Sequence, residues 1–425
     1  MTSKPPAKTS TLPAISTAWL VFWFFWPFGA LVRAMRRFRA PQAKTVFWLF
    51  CVFFGFVFII AEDIPGAADS ARIASLLVEA HQQPLSFSYL LASLYNPAGE
   101  LVDVYQPLVI WLLAIFTDDG RILFAVFAAV FGFFYAQNLW MVFSRISAKV
   151  GLLLFLFMLA YALTNPIWNI NGVRMWTAAH IFLFGVLRLY LENDRKGLIW
   201  AVSSILVHFS FMFPVALLLV FRFIPNNIPV LFVFYLAASF VSEINLEAVR
   251  NALGFLPEVF QPRVEGYTHE AVIEGREQAA AAAAWHVQFA ATAGNILRYA
   301  WIIALFALRR RWSGKHPEIL KLFALTLFVG GFAQIASLIP SGGRFEIITN
   351  MLIWGIVVML MGKGIFHHKL TELKLATYPL LAFWLIFSIR VGMDYFGIFA
   401  LLSNPVISLF LTEQVPLIEF VKEIF

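Results

Sequence analysis

Residues 121–143 read RILFAVFAAVFGFFYAQNLWMVF, and only the first of them carries a charge. A helix rises 1.5 Å per residue, so about 20 apolar residues cross the roughly 30 Å hydrocarbon core of a bilayer. This stretch is long and apolar enough to do so. Nine further segments read the same way: roughly 16–32, 45–61, 150–166, 174–192, 228–242, 288–308, 317–339, 345–362 and 375–390. The whole chain agrees with them. Of its 425 residues 61% are hydrophobic and 13% charged, and its mean hydropathy is +0.80. Soluble domains carry about twice that share of charge, so there is too little polar surface to wet a compact particle. A water-soluble enzyme, a disordered chain and a nucleic-acid binder are excluded. The sequence predicts an all-α, polytopic integral membrane protein of about 10–12 transmembrane helices.

The net charge of +7 sits in short basic clusters between apolar runs, the pattern that marks cytoplasmic loops. They are Arg33, Arg36, Arg37, Arg39 and Lys44, then Arg309, Arg310, Arg311 and Lys315, then Lys363 and Lys369. Cys51 is the single cysteine and lies in an apolar run, which rules out an intramolecular disulfide and a cysteine-based metal cluster. Residues 1–15 read as a flexible tail, 16–412 as one polytopic membrane domain and 413–425 as a C-terminal tail. Ser16–Val32 lacks a small-residue cleavage site and reads as a retained span, with no cleaved signal peptide evident.

Two apolar pieces, 106–117 and 197–221, leave two self-consistent topologies. In the first, 106–117 lies at the outer interface, while 197–221 enters from the cytoplasm, bends near His208–Pro214 and returns. In the second, both cross. The first puts Arg145, Lys149, Arg195 and Lys196 inside and Arg121 and Arg174 outside, the second exchanges these two sets, and a count of four against two favours the first. The outer face then carries loops 62–120 and 243–287, the latter rich in glutamate. The alanine run 279–284 has high helix propensity and predicts a helix leading into the next span. Whether 395–411 spans is left open.

No phosphate loop, dinucleotide fingerprint, HExxH or nucleophile elbow is present. The candidates are ionisable groups at the outer ends of spans. Glu62 and Asp63 with Asp69 and Arg72 follow the second span; a carboxylate there can serve as a general base or hold a divalent metal. The plainer reading is a solvated i, i+3 ion pair between Asp69 and Arg72. Next comes Asn165-Pro-Ile-Trp-Asn-Ile-Asn171-Gly-Val-Arg174, where Asn171 is placed to cap a helix. Arg174 in the first turn works against the helix dipole, which argues for an anionic partner; the alternative is a snorkelling anchor. His180, farther along that helix, reads as a packed polar residue.

His208 and Ser210 interrupt an apolar run, where a polar side chain is costly unless it faces a cavity or a partner. A kink at Pro214 with His208 on freed backbone is the structural alternative. Pro340-Ser-Gly-Gly-Arg344-Phe-Glu346 is a glycine-rich turn that can bring backbone N–H groups and Arg344 onto an anion, and equally a plain tight turn. Arg390 with Asp394 is a weaker pair. Arg72, Arg174, Arg344 and Arg390 meet on one face under the favoured topology, although arginine is normally depleted outside. An anionic lipid headgroup such as a polyprenyl pyrophosphate accounts for them.

The order of these motifs, Asp69–Arg72, Asn171-Gly172-x-Arg174, His208-x-Ser210 and Arg344, resembles the EpsG family of Wzy-type exopolysaccharide polymerases over about residues 60–362. The chain departs from that pattern at Ile73, where a tyrosine is expected; Tyr89 and Tyr95 are the nearby alternatives. The resemblance implies a fold similar to the GT-C class of membrane glycosyltransferases. It implies a bacterial inner-membrane enzyme that polymerises polyprenyl-pyrophosphate-linked oligosaccharide repeat units at the outer leaflet. Asp69 or His208 would be the catalytic base, and Arg72, Asn171, Arg174, Arg344 and Arg390 would bind substrate, with neither metal nor other cofactor. Flippase and export or chain-length proteins of the same pathway would be its partners. Two rivals stand beside it: a GT-C enzyme adding one sugar from a polyprenyl-phosphate donor, and a transporter or flippase of lipid-linked glycans.

Overall fold

The computed structural model describes residues 12–60, 68–83, 90, 103–241, 247, 250, 251, 254, 282–339, 341–366, 371–411 and 414–424. Glu62, Asp63, Tyr89, Tyr95 and most of the acidic stretch 243–287 lie outside them. Among the described residues the secondary structure is helical, with no strand and one isolated bridge, Phe58 to Phe396. The helices are α1 (Thr17–Phe25), α2 (Pro27–Arg36), α3 (Ala43–Phe56), α4 (Ala68–Gln82), α5 (Tyr105–Ala114), α6 (Gly120–Phe143), α7 (Leu152–Leu163) and α8 (Val173–Leu191). Then follow α9 (Gly197–Val207), α10 (Met212–Phe221), α11 (Ile228–Ala238), α12 (Trp285–Ala307), α13 (Arg309–Trp312), α14 (Pro317–Ala336), α15 (Glu346–Gly362) and α16 (Thr371–Gly392). Three short helices, α17 (Phe399–Leu402), α18 (Pro405–Leu409) and α19 (Leu417–Ile424), close the chain.

Among the described residues six helical stretches are long and apolar enough to cross a membrane, which makes this a polytopic membrane protein. One of them, Leu152–Leu191, has 40 residues and would measure about 60 Å if straight, twice the hydrocarbon thickness. It is a hairpin instead. His180 Nε2 lies 2.9 Å from the Asn165 carbonyl, and Asn165 Nδ2 donates to the Trp176 carbonyl at 3.0 Å, contacts that a straight helix forbids. The reversal falls where Pro166 removes a backbone donor and a 3₁₀ turn, Ile167–Gly172, reaims the chain into α8.

Elsewhere the expected spans are shortened. Segment 16–32 is interrupted at Trp26, with Pro27 starting α2. Segment 228–242 yields only the 11 residues of α11. Of the alanine run, Ala284 has non-helical backbone and precedes α12, so no continuous helix leads into that span. Residues 395–411 hold only two short helices, broken at Ser403 and Asn404.

Chain ends cluster by charge. Arg39 Nη2 donates to the Ala148 carbonyl at 3.0 Å, Arg145 Nη2 to the Leu191 carbonyl at 3.1 Å, and Ala148 N–H to the Gly362 carbonyl at 2.7 Å. These bonds gather the basic loops after α2, α6, α8 and α15 on one face, here called the basic face. From it α9 runs back along α8, with the two helices in close backbone approach. A Cβ on Gly185 would come within 2.5 Å of the Ala201 nitrogen, so only glycine permits this spacing. Ser210 Oγ reaches Met175 Sδ at 4.0 Å, at the far end of α8. There the chain turns, and α10 descends with Phe213 against Phe345 (5.0 Å between ring centroids) and Phe221 against Phe328 (5.5 Å). Residues 225–229 then lie beside Arg309 and Arg310. Segment 197–221 therefore leaves the basic face and returns to it.

Candidate functional site

The bend between α9 and α10 creates the site. His208 is extended (φ −150°, ψ 116°) and ends α9, and a 3₁₀ turn, Phe209–Phe211, starts the return. Pro214 falls in the first turn of α10, where a missing N–H leaves no bond unmade. The break is thus at His208, not at Pro214. The Phe209 N–H that it releases from helical bonding is taken by Asp103, whose Oδ1 accepts it at 2.7 Å. The adjoining backbone is tied as well, Val104 N–H donating to the Leu206 carbonyl at 3.1 Å.

Asp103 is the centre of the cluster. Its side chain has 0% exposure, and Oδ2 accepts from Arg174 Nη1 at 2.9 Å and from His208 Nδ1 at 3.0 Å. It sits two residues ahead of α5, outside the six long helices found among the described residues. Burial pushes its carboxyl toward higher pKa, but the His208 hydrogen bond, the charges of His208 and Arg174 and the Phe209 N–H outweigh burial and hold it below the usual carboxylate value. A carboxylate only accepts, so His208 Nδ1 carries the proton in this bond. Nε2, the nitrogen that accepts when the ring is neutral, has no hydrogen-bond partner among the described residues, on a side chain with 9% exposure. A carboxylate that fixes the tautomer and orientation of an imidazole is the arrangement of a general base. The anionic partner expected for Arg174 is supplied by the chain itself.

Asp103 was not among the sequence candidates. It follows Arg72, the nearest of them in the chain, by 31 residues, and nothing local distinguishes it from other loop carboxylates. The usable signal was indirect. A histidine and an arginine in apolar surroundings each require a counter-charge, and Asp103 directly precedes the apolar piece that became α5.

Arg344 lies on the turn that packs against this bend. Ser341 is left-handed (φ 63°), and a Cβ on Gly342 would collide with the Ala336 carbonyl oxygen, so this reversal needs glycine. Phe345 carries the turn onto the bend, 6.2 Å from Phe211 and 5.0 Å from Phe213 between ring centroids. Arg344 itself is exposed, and no ion pair is formed by it among the described residues. The next acidic residue, Glu346, pairs with Arg298 of α12, which is 4% exposed. Asn295 accepts from Arg298 Nη2 at 3.0 Å, and Tyr299 donates to Gln334 at 2.6 Å. This second charge pair, with Arg298 buried, is likewise absent from the sequence candidates.

The remaining candidates form a separate group. Asp69 and Arg72 make the exposed i, i+3 pair of the plainer reading, at 3.5 Å. Asn171 does not cap α8, whose cap residue is Gly172; its side chain instead meets the Tyr395 hydroxyl. Burial raises the pKa of Tyr395, and Asp394 and Asp69 add to the rise against the opposing Asn171 bond. Arg390 and Asp394 pair at 2.8 Å. Asn171 thus bonds Tyr395, with Asp394 and Asp69 acting on it through charge alone, while His208, Arg174 and Asp103 form the buried cluster, with the Arg344 turn packed against its bend. His180 is a packed polar residue, held between Asn138 and the Asn165 carbonyl. Among the described residues no group of three or more His, Cys, Asp or Glu is placed to hold a metal ion.

Fold and site together define an all-helical polytopic membrane protein with a buried Asp–His–Arg cluster at a helix break. No protein-family model, curated protein or solved structure matches this chain.

Proposed function

We propose that this chain is a membrane glycosyltransferase that polymerises lipid-linked oligosaccharide repeat units in exopolysaccharide biosynthesis. It would have about 10–12 membrane passages, counting shorter helices, a fold similar to the GT-C class, and its site facing the outside of a bacterial inner membrane. The observation that carries this reading is the Asp103–His208 pair with Arg174. In the reaction, a hydroxyl oxygen of an incoming repeat unit attacks the anomeric carbon of the growing glycan. The bond from that carbon to polyprenyl pyrophosphate breaks, and the hydroxyl proton passes to His208 Nε2. Asp103 orients the imidazole and stabilises the imidazolium that forms, a contribution of about 10²- to 10⁴-fold for a positioned base. Arg344 and the remaining N–H groups of Arg174 offset charge developing on the leaving pyrophosphate. Asp69, exposed and paired with Arg72, is the weaker base candidate.

The basic face supports an inward orientation for that side. Purified protein in liposomes, supplied with polyprenyl-pyrophosphate-linked repeat units, should yield a ladder of lengths by mass spectrometry. A single added sugar from a polyprenyl-phosphate donor would establish the single-sugar transferase instead. The transport reading has one observation behind it, the discontinuous pair α9 and α10, since broken helices line transporter sites. Movement of intact units between leaflets without any new glycosidic bond would favour it.

A further inference from the structure

The basic face holds a cleft that the proposed reaction does not use. It has a volume of about 540 Å³ and lies between the start of α11, helix α13 and the first turns of α14. That is within the range of roughly 300–1,000 Å³ typical of small-molecule sites. Asn226, Asn227, Arg309, Arg310 and Ser313 supply its polar lining, and no carboxylate lines it. Two arginines that form no ion pair among the described residues make it an anion site.

The charges are placed by the fold. Arg309 lies with its guanidinium carbon 3.9 Å from the centroid of the Phe306 ring and donates Nη1 to the Phe306 carbonyl at 2.8 Å. Phe306 is in turn stacked on Phe232 of α11, 3.8 Å between centroids. One edge of the guanidinium is thereby fixed and the others remain for a ligand. Arg310 is exposed, with no ion pair among the described residues. Helix α11 begins in the cleft, Asn227 accepting the Val230 N–H at 3.4 Å, so the positive end of its dipole adds to the arginines.

The occupant is identified by what adjoins the cleft. Asn227, Val230 and Val233 follow at i, i+3 spacing and share one face of α11. Val230 is 60% and Val233 64% exposed, so an apolar strip leads from the polar cleft along the helix. A phosphate on an acyl chain fits both parts, whereas a free phosphate leaves the strip unused. Basic pockets between helices at the cytoplasmic side are suited to anionic headgroups. We propose that this cleft binds the phosphate headgroup of an anionic phospholipid, with an acyl chain lying along Val230 and Val233.

The test is a titration of the full chain in detergent micelles with phosphatidylglycerol, phosphatidylcholine and inorganic phosphate, followed by native mass spectrometry. Saturable binding of phosphatidylglycerol is expected, with the other two weak. The double substitution Arg309→Gln with Arg310→Gln should lower that affinity about thirtyfold. Ser313→Glu, which puts a carboxylate into the cleft, should also lower it. Arg36→Gln with Arg37→Gln removes two exposed arginines of the same face outside the cleft and should change little. Equal loss in both double variants would show diffuse charge attraction and overturn the site. Inorganic phosphate binding as tightly as the lipid would overturn the lipid assignment. All variants must elute as the parent does, and Ser313→Ala, which should bind normally, controls for damage at that position.

Discussion

Replacing Asp103 by asparagine removes one charge and almost no volume from the centre of the cluster. The amide oxygen can still accept the Phe209 N–H, now 2.7 Å from Oδ1. The other position cannot serve both Arg174 Nη1 at 2.9 Å and His208 Nδ1 at 3.0 Å, because an amide nitrogen donates. Removing one partner of a buried ion pair costs about 3–5 kcal/mol, since the other charge is left uncompensated. The retained Phe209 bond and Arg174's 20% side-chain exposure bring the expected cost to the lower end, about 3 kcal/mol. Arg174→Gln alone leaves the Asp103 charge buried, and the double variant leaves neither charge. The double variant should therefore be less unstable than the sum of the singles by about 1–3 kcal/mol. Unfolding in mixed micelles, titrated with sodium dodecyl sulfate, measures all three. Additivity within about 0.5 kcal/mol would refute the pairing.

Three further outcomes are expected. Asp103 has a folded-state pKa below that of an ordinary aspartate, so its contribution is present above the ordinary value and is lost as pH falls through the lower folded one. Acid unfolding of the parent should show this loss below about pH 4, and Asp103→Asn should flatten it. Gly185→Val should separate α8 from α9, because its Cβ would already stand 2.5 Å from the Ala201 nitrogen; a thermal shift of the purified variant matching the parent would contradict that packing. Arg344→Ala should leave folding unchanged, the side chain being exposed, while chain extension is lost. Extension at the parent rate would remove Arg344 from the site.

Much of the helical architecture is legible in composition and run length, because the bilayer demands about 20 apolar residues per crossing. Segments 121–143 and 317–339 emerge nearly as expected, as α6 and α14. Length alone misjudges breaks. Trp26–Pro27 divides one expected span, and the hairpin at Asn165–Gly172 depends on tertiary bonds from His180 and Trp176. At the site, His208 and Arg174 were visible because a polar group in an apolar run calls for a partner. The partner's identity was not visible. Asp103 reaches His208 across 105 positions in the chain, and a pairing at that separation has no local spacing to reveal it. Asp69, by contrast, had a neighbour at i+3 and drew attention to a pair that is exposed.

The most direct measurement is the length distribution of lipid-linked glycans in cells that lack this protein, restored with the parent chain or with His208→Gln. The expected result is a ladder with the parent and single, outward-facing repeat units with the variant. A full ladder with His208→Gln would contradict the role of the Asp103–His208 pair, and units trapped on the inner leaflet in the null cells would contradict polymerisation itself.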